Sequence, residues 1–445
     1  MMINKLHTCL LLAIAALSIV LSLFDFYLIK IMLGISVLFM FVILLFCTNG
    51  IPRIVYSLFF IMSIFLTWHY HIPYSVAVDH LNSNTIFISL FVCIPLLKIP
   101  IDQGNYLEEI RNLLTVKNKG FFIYAISAVN FFLSSFLNLA SIRLVDQFKD
   151  SRMNENPNKY GAYLNRSFNL AVCWTPYFAA FSVAISYSKG NPGSLILLGL
   201  TLCCIILLAT VMPGLMKLKQ QQDIPPGNRT RFNPKIVHLL SFYGLLIGSL
   251  LLIEYITPIN TIAIICLLSI FYSASWTLLQ GTVKEFLHGL RHFAKRDLPN
   301  IRFEALLFIS VGFFSHTLIW LDWKVQLPAW SSVSLGYIWL FIFLFIFFVV
   351  FIAFFGIHHL VTITLFTASV HWQQLGIQPV IYAMVILISW SLASMISPFS
   401  AANMIISRLA NVKPVQIGLL MNAGYAFGFM LFSTTFLTII NYFIS

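Results

Sequence analysis

"CWTPYFAAFS" (residues 173–182) and "MISPFSAANM" (residues 395–404) place a hydroxyl residue, a proline, an aromatic and a paired alanine in the same order in opposite halves of the chain. Aligned as "NLAVCWTPYFAA" (169–180) and "SLASMISPFSAA" (391–402), they are identical at five of twelve positions, with Thr against Ser and Tyr against Phe. Thr175 and Ser397 are 222 residues apart, half the length of a 445-residue chain. Each copy interrupts an apolar run. Proline inside a helix removes one backbone hydrogen bond and frees a carbonyl a turn earlier, here near Trp174 and near Ile396. In hydrocarbon such a carbonyl persists only where it faces protein or a water-filled cavity. An isolated copy would read as a simple kink, with the hydroxyl bonding back to the preceding turn. Two related copies favour discontinuous helices.

The rest of the composition agrees. The chain is 60% hydrophobic, 16% aromatic and 9% charged, with mean hydropathy +0.91, which defines an all-α polytopic membrane protein with no stretch left for a soluble domain. A span needs roughly 20 apolar residues. Spans are expected at 8–24, 26–47, 51–69, 84–99, 166–187, 194–215, 236–256, 259–280, 303–321, 381–407 and 415–443, about eleven in all. The formal charge of +12 is scattered over short loops, as expected for cytoplasmic loops facing anionic lipid and not for a nucleic-acid surface. The seven cysteines lie in apolar runs without a CxxC pair and read as small buried hydrophobes. The first run leads past Asp25 into a second full span, so a retained helical hairpin is expected.

Two apolar stretches fit re-entrant hairpins. Residues 121–148 are interrupted near Ser134 to Asn138, leaving two arms too short to cross. Residues 337–370 are interrupted at Gly356-Ile357-His358-His359, although the first arm, 337–355, is long enough to be a full span. The break offset also carries Ser134–Asn138 onto 356–360. With the amino terminus inside and both hairpins returning to the side they enter from, the basic loops fall inside and the carboxy terminus outside. The loops 70–83, 257–258 and 371–380, free of Lys and Arg, then fall outside. The halves then form an inverted-topology repeat. The expected organisation is scaffold helices in 1–80, a first repeat in 81–216, a linker with further scaffold helices and a cytoplasmic amphipathic segment (282–296) in 217–302, and a second repeat in 303–445. A multi-pass protein of the cell's inner membrane, in contact with lipid, follows.

Broken helices bring their own chemistry: half-helix N-termini offer N–H groups to an anion, while freed carbonyls and hydroxyls coordinate a small cation. The candidates are Ser134, Ser135, Asn138 and Ser141 on the first tip with Thr175 and Pro176, and His358, His359, Thr362, Ser397, Pro398, Ser400 and Asn403 in the second half. No Asp or Glu falls at the breaks, which suits a carboxylate or other oxyanion as substrate and Na⁺ better than a carboxylate-based proton relay. The second copy has Ser400 and Asn403 where the first has Phe178 and Phe181, so it is expected to carry more of the contacts. "EFLHGLRHFAKR" (285–296) spaces His288 and His292 as two ligands could be, but it is not HExxH and reads as an amphipathic interfacial helix.

With "SSFLN" (134–138) and "GIHH" (356–359) as tips and "WTP" (174–176) and "ISP" (396–398) as breaks, the chain resembles the ion transporter superfamily of secondary carriers. That superfamily includes the divalent-anion/sodium symporters, the arsenite permeases and the large membrane subunits of TRAP dicarboxylate transporters. The resemblance covers essentially the whole chain. It implies that tips and breaks hold a small anion and coupling ions, Na⁺ or H⁺, with no other cofactor, and that a transport domain slides against a scaffold in an elevator movement. The Ser-Asn-Thr tips of the dicarboxylate symporters are absent, Phe136 and Leu137 separating Ser135 from Asn138. The likeness is therefore to architecture more than to signature residues. A homodimer is one assembly left open. The competing reading is an integral membrane enzyme, an acyltransferase or a polysaccharide polymerase or ligase, with His358 or His359 as base; such an enzyme would turn over in detergent without an ion gradient. No Walker loop, GxSxG or dinucleotide fingerprint occurs.

Overall fold

The computed structural model describes residues 2–104, 106–113, 119–148, 157–220, 234–281, 283–322 and 335–444. The basic residues Arg229 and Arg231 of the central linker lie outside them. Ten helical segments of the described chain are long and apolar enough to cross a membrane, and the fold is an all-helical, multi-pass one. Nine of the ten correspond to expected spans. The tenth is Leu335–Phe354, the long first arm of the second hairpin, which has the length of a full span. Of the two expected spans not among the ten, 166–187 is divided by its break. The other forms the helix Ile51–His69.

The chain divides into two compact units. One comprises Met1–Gly104, Leu245–Gln326 and Thr364–Val370. Its first two helices, Met2–Leu23 and Tyr27–Cys47, pack side by side, with Phe41 stacked on Phe60 of the next helix at 3.7 Å between ring centroids. Lys30 bridges Asp25 at 3.1 Å and Asp79 at 3.2 Å. Asp79 belongs to the helix Tyr74–Asn82, so the region 70–83 is largely helical and not simply a loop. Pro95 imposes a 3-10 turn on the following apolar stretch, Ile94–Leu97, and the Ser273 hydroxyl donates to the Leu96 carbonyl at 2.7 Å. The amphipathic segment is the helix Val283–Arg296, whose Phe293 is buried and whose Gly289 faces Ile99.

The other unit comprises Asn105–Gly244, Leu327–Ile363 and His371–Ser445. It contains both tips and both breaks. The first hairpin is Lys119–Leu137 followed by Ala140–Asp146, turned by Asn138 in the left-handed region at φ +52°. The second is Leu335–Phe354 followed by the helix His359–Ser369, of which His359–Ile363 belong to this unit, turned through Gly356 at φ +91°. Asparagine and glycine are the residues that tolerate that conformation. Gly356 has a second reason to be glycine, because the ring of Phe399 lies where a side chain would project. The first broken helix runs as Pro157–Val172 and Ala179–Ser188, the second as Pro379–Ile396 and Ala401–Ala410. Each hairpin's long arm packs along the first half of the broken helix that follows it. Ala179 and Ala401, which begin the two second halves, are aligned with each other in the sequence repeat.

Candidate functional site

The hydroxyls before the two prolines do the same thing. Thr175 donates its hydroxyl proton to the carbonyl of Ser135, and Ser397 donates to the carbonyl of Ala353 at 2.6 Å. Both carbonyls lie in the last turn of a hairpin's long arm, three residues before the left-handed residue of the tip. Helix C-termini leave carbonyls unpaired, and here each is met from the break of the next helix. Both hydroxyls also accept a backbone N–H two residues on, from Tyr177 at 3.4 Å and from Phe399 at 3.3 Å. The simple kink, with hydroxyl bonding back to its own turn, is thus replaced by a clamp from break to hairpin, repeated in both halves. Tyr243 adds a second donor to the first clamp, 3.4 Å from the Ser135 carbonyl.

The two copies meet where a two-fold relation requires equivalent residues to touch. Ser391 and Asn169 are separated by the repeat offset of 222 residues, and the Ser391 hydroxyl donates to the Asn169 carbonyl at 2.7 Å. Asn169 Nδ2 donates to Asn165 Oδ1, and Asn165 Nδ2 donates to Asn403 Oδ1 at 2.7 Å and to the Met395 carbonyl at 3.0 Å. Asn165, Asn169, Ser391 and Asn403 are all fully buried.

The proline gaps are filled differently. At the second break, Asn403 Nδ2 reaches the carbonyls of Met395 (2.8 Å), Ser397 (2.9 Å) and Ser394 (3.4 Å), the last being the one Pro398 deprives of its donor. Ser400 caps the second half-helix by accepting the Asn403 N–H at 3.2 Å. Ser400 and Asn403 therefore make the second break more polar by closing it. At the first break Phe178 occupies the cap position without a side-chain bond, so the N–H groups of Ala179 and Ala180 have no capping side chain. In both halves the next span places a glycine against the break, Gly199 on the Cys173 carbonyl and Gly418 on the Ile396 carbonyl, where any Cβ would collide.

The first tip is closed on itself. Ser134 and Ser141 hydroxyls pair at 2.7 Å, Ser141 donates to the Asn138 carbonyl at 2.8 Å, Ser135 donates to the Phe132 carbonyl at 2.6 Å, and Asn138 Oδ1 accepts the Leu139 N–H at 2.8 Å. Asn130, not singled out from the sequence, ties this hairpin to the broken helix through the Leu164 carbonyl and the Ser167 hydroxyl. The second tip is different. His358 Nδ1 accepts the Leu360 N–H at 3.2 Å and so caps the short arm. His359 Nε2 and Thr362 Oγ1 are buried and have no hydrogen-bond partner among the described residues. The two residues lie three apart on the short arm, with the Trp390 ring 4.4 Å from that of His359. Arg166 is a further residue the sequence reading missed: its Nε donates to Asn422 Oδ1 at 2.7 Å, its Nη2 to the Met421 carbonyl at 2.9 Å, and its guanidinium lies over Tyr425 at 4.6 Å.

These features define a polytopic membrane protein built on two copies of a hairpin and a broken helix. No family model and no curated protein matches the chain. Among solved structures it is similar to the YdaH transporter of Alcanivorax borkumensis, with 12% sequence identity, 82% of this chain and 86% of that chain covered, and a TM-score of 0.46.

Proposed function

We propose that the chain is a secondary active transporter of a small anion, a carboxylate by the chemistry of its donors, coupled to Na⁺ or H⁺. The observation that carries this reading is the repeated clamp, Thr175 on Ser135 and Ser397 on Ala353. Two spans are interrupted by proline inside a protein that must satisfy its own backbone polar groups, and each interruption is locked to a re-entrant tip. Such breaks are the means by which repeat-built carriers present backbone dipoles to solutes at the bilayer midplane. The uncapped N-terminus at Ala179 offers N–H donors to an anion, and the open polar atoms at His359 and Thr362 offer further contacts. The unit that contains both tips and both breaks is the moving body of an elevator mechanism, and the other unit the scaffold. The sequence resemblance to the ion transporter superfamily supports the same reading.

The isosteric substitution Thr362→Val tests the site assignment. A hydroxyl without a protein partner contributes no hydrogen bond to the fold, so the variant should unfold at the wild-type temperature or above it. If the hydroxyl meets substrate or ion, uptake into proteoliposomes should fall by about ten-fold, the effect of one lost polar contact. Unchanged uptake with unchanged stability would remove Thr362 from the site.

A further inference from the structure

Arg408 and Lys413 flank the turn that joins the second broken helix to the last span, and the sequence contains no acidic residue after Asp322. Among the described residues no carboxylate lies within salt-bridge distance of either cation. Both are exposed on an open cavity of about 680 Å³, lined also by Ser407, Asn411 and Gln416. Asn411, left-handed at φ +54°, ends the preceding helix. Gln416 Oε1 accepts the Lys413 N–H at 2.9 Å, which leaves its amide nitrogen as a donor.

The span Gln416–Ile444 leads away from this cavity, and along it Leu419, Ala423, Ala426 and Met430 line a second cavity of about 270 Å³ whose lining is wholly apolar. Gln416 lies in the π-helical turn Gln416–Leu420 that leads into the α-helix Met421–Ile444, three residues before Leu419 of the groove. Phe347, Phe351 and Phe427 of the groove are substantially exposed, 40%, 49% and 54%, and stand on helices long and apolar enough to cross a membrane. Ile396, the last helical residue before the second break, also lines it.

From this arrangement we infer that the last span carries a binding site for an anionic phospholipid, its phosphate held by Arg408, Lys413 and Gln416 and one acyl chain lying in the Phe351–Ala423 groove. A soluble anion would use only the polar cavity, and a neutral lipid only the groove. Cations without counter-ions at the membrane edge attract anionic headgroups. A chain in the groove would touch Ile396 and so bear on the second break.

The test uses the full-length protein in detergent, with lipid retention read by native mass spectrometry against dioleoylphosphatidylglycerol, dioleoylphosphatidylcholine and inorganic phosphate. The expected result is retention of phosphatidylglycerol about ten-fold above phosphatidylcholine, as two juxtamembrane cations supply. The double variant Arg408→Gln with Lys413→Gln should lose the preference, and the exchange Arg408→Lys with Lys413→Arg should keep it. Ala423→Phe, which fills the groove, should release the lipid. Equal retention of the two lipids, or a preference that survives in the Gln double variant, would overturn the proposal. So would displacement of the lipid by millimolar inorganic phosphate, which would make this a site for a soluble anion. The readout is binding, so its failure leaves the transport reading untouched.

Discussion

Asn403→Leu is expected to be among the most damaging single substitutions in the protein. One buried amide serves the carbonyls of Met395, Ser397 and Ser394 and accepts from Asn165. Leucine has nearly the same shape and none of these bonds. The Met395 carbonyl keeps Asn165 Nδ2 and the Ser397 carbonyl keeps the Ser400 N–H, so the Ser394 carbonyl is the group left unpaired. That costs about 1–3 kcal/mol, and the three other lost hydrogen bonds add about 1 kcal/mol each, about 4–6 kcal/mol together, comparable with the whole stability of many folded domains. The expected observation is loss of most monodisperse protein in detergent, read by fluorescence-detected gel filtration after heating. Asn403→Asp should do no better, because it retains an acceptor and loses the donors while adding a buried charge. If Asn403→Leu kept wild-type thermal stability and abolished uptake, the amide would be a ligand and not the closure of the break.

The second large effect is on function. Thr175→Val and Ser397→Ala each remove one hydroxyl that joins a break to a hairpin. The Ser135 carbonyl retains Tyr243 as a donor and the Ala353 carbonyl retains the Gly356 N–H, so neither variant strands a carbonyl completely. The stability cost should stay near 1 kcal/mol each, the net value of an ordinary hydrogen bond. Transport should suffer more, because each tip would no longer be registered on its break, and misplacement by about 1 Å can cost on the order of 100-fold in a preorganised site. Uptake per folded molecule should fall by about ten-fold or more in each variant. If both clamps serve one site, the double variant should lose less than the product of the single effects. Wild-type uptake in the double variant would show that the clamps are structural only.

Much of this was legible in the sequence because proline in an apolar run is a strong local signal. The Thr-Pro and Ser-Pro pairs located both breaks, and the repeat alignment pairs Ala179 with Ala401, where the second half-helices begin. The tips were placed less well. The offset pairs Ser134 with Gly356, whereas the structure turns at Asn138 and Gly356, so the hairpins are displaced by about one helical turn relative to the breaks. The partners of the clamps could not be read at all, since a backbone carbonyl has no signature in the side chains. Asn165 and Asn169 could have been found: asparagines four residues apart on a half-helix face the same way, and where that face is buried they must be satisfied inside the protein. The polar residues of the second break were visible, but not that Ser400 and Asn403 would be used within the break. That depends on the extended backbone at Ser397 and Ser400, which turns the second half-helix back so that Asn403 reaches carbonyls six to nine residues earlier. His358 and His359 were indistinguishable as neighbours in a sequence; only the fold gives one a capping bond and leaves the other's Nε2 without a partner.

Two clamped hairpins and breaks, on the reading proposed above, make one gradient-driven carrier. It is tested most directly by uptake of a panel of radiolabelled small anions into proteoliposomes under imposed Na⁺ or H⁺ gradients. At least one anion is expected to accumulate above its equilibrium level under one of the gradients, the accumulation should collapse when an ionophore dissipates that gradient, and Thr175→Val with Ser397→Ala should suppress it. Absence of gradient-dependent accumulation for every anion in correctly inserted protein, or turnover of a substrate in detergent with no gradient present, would contradict that reading.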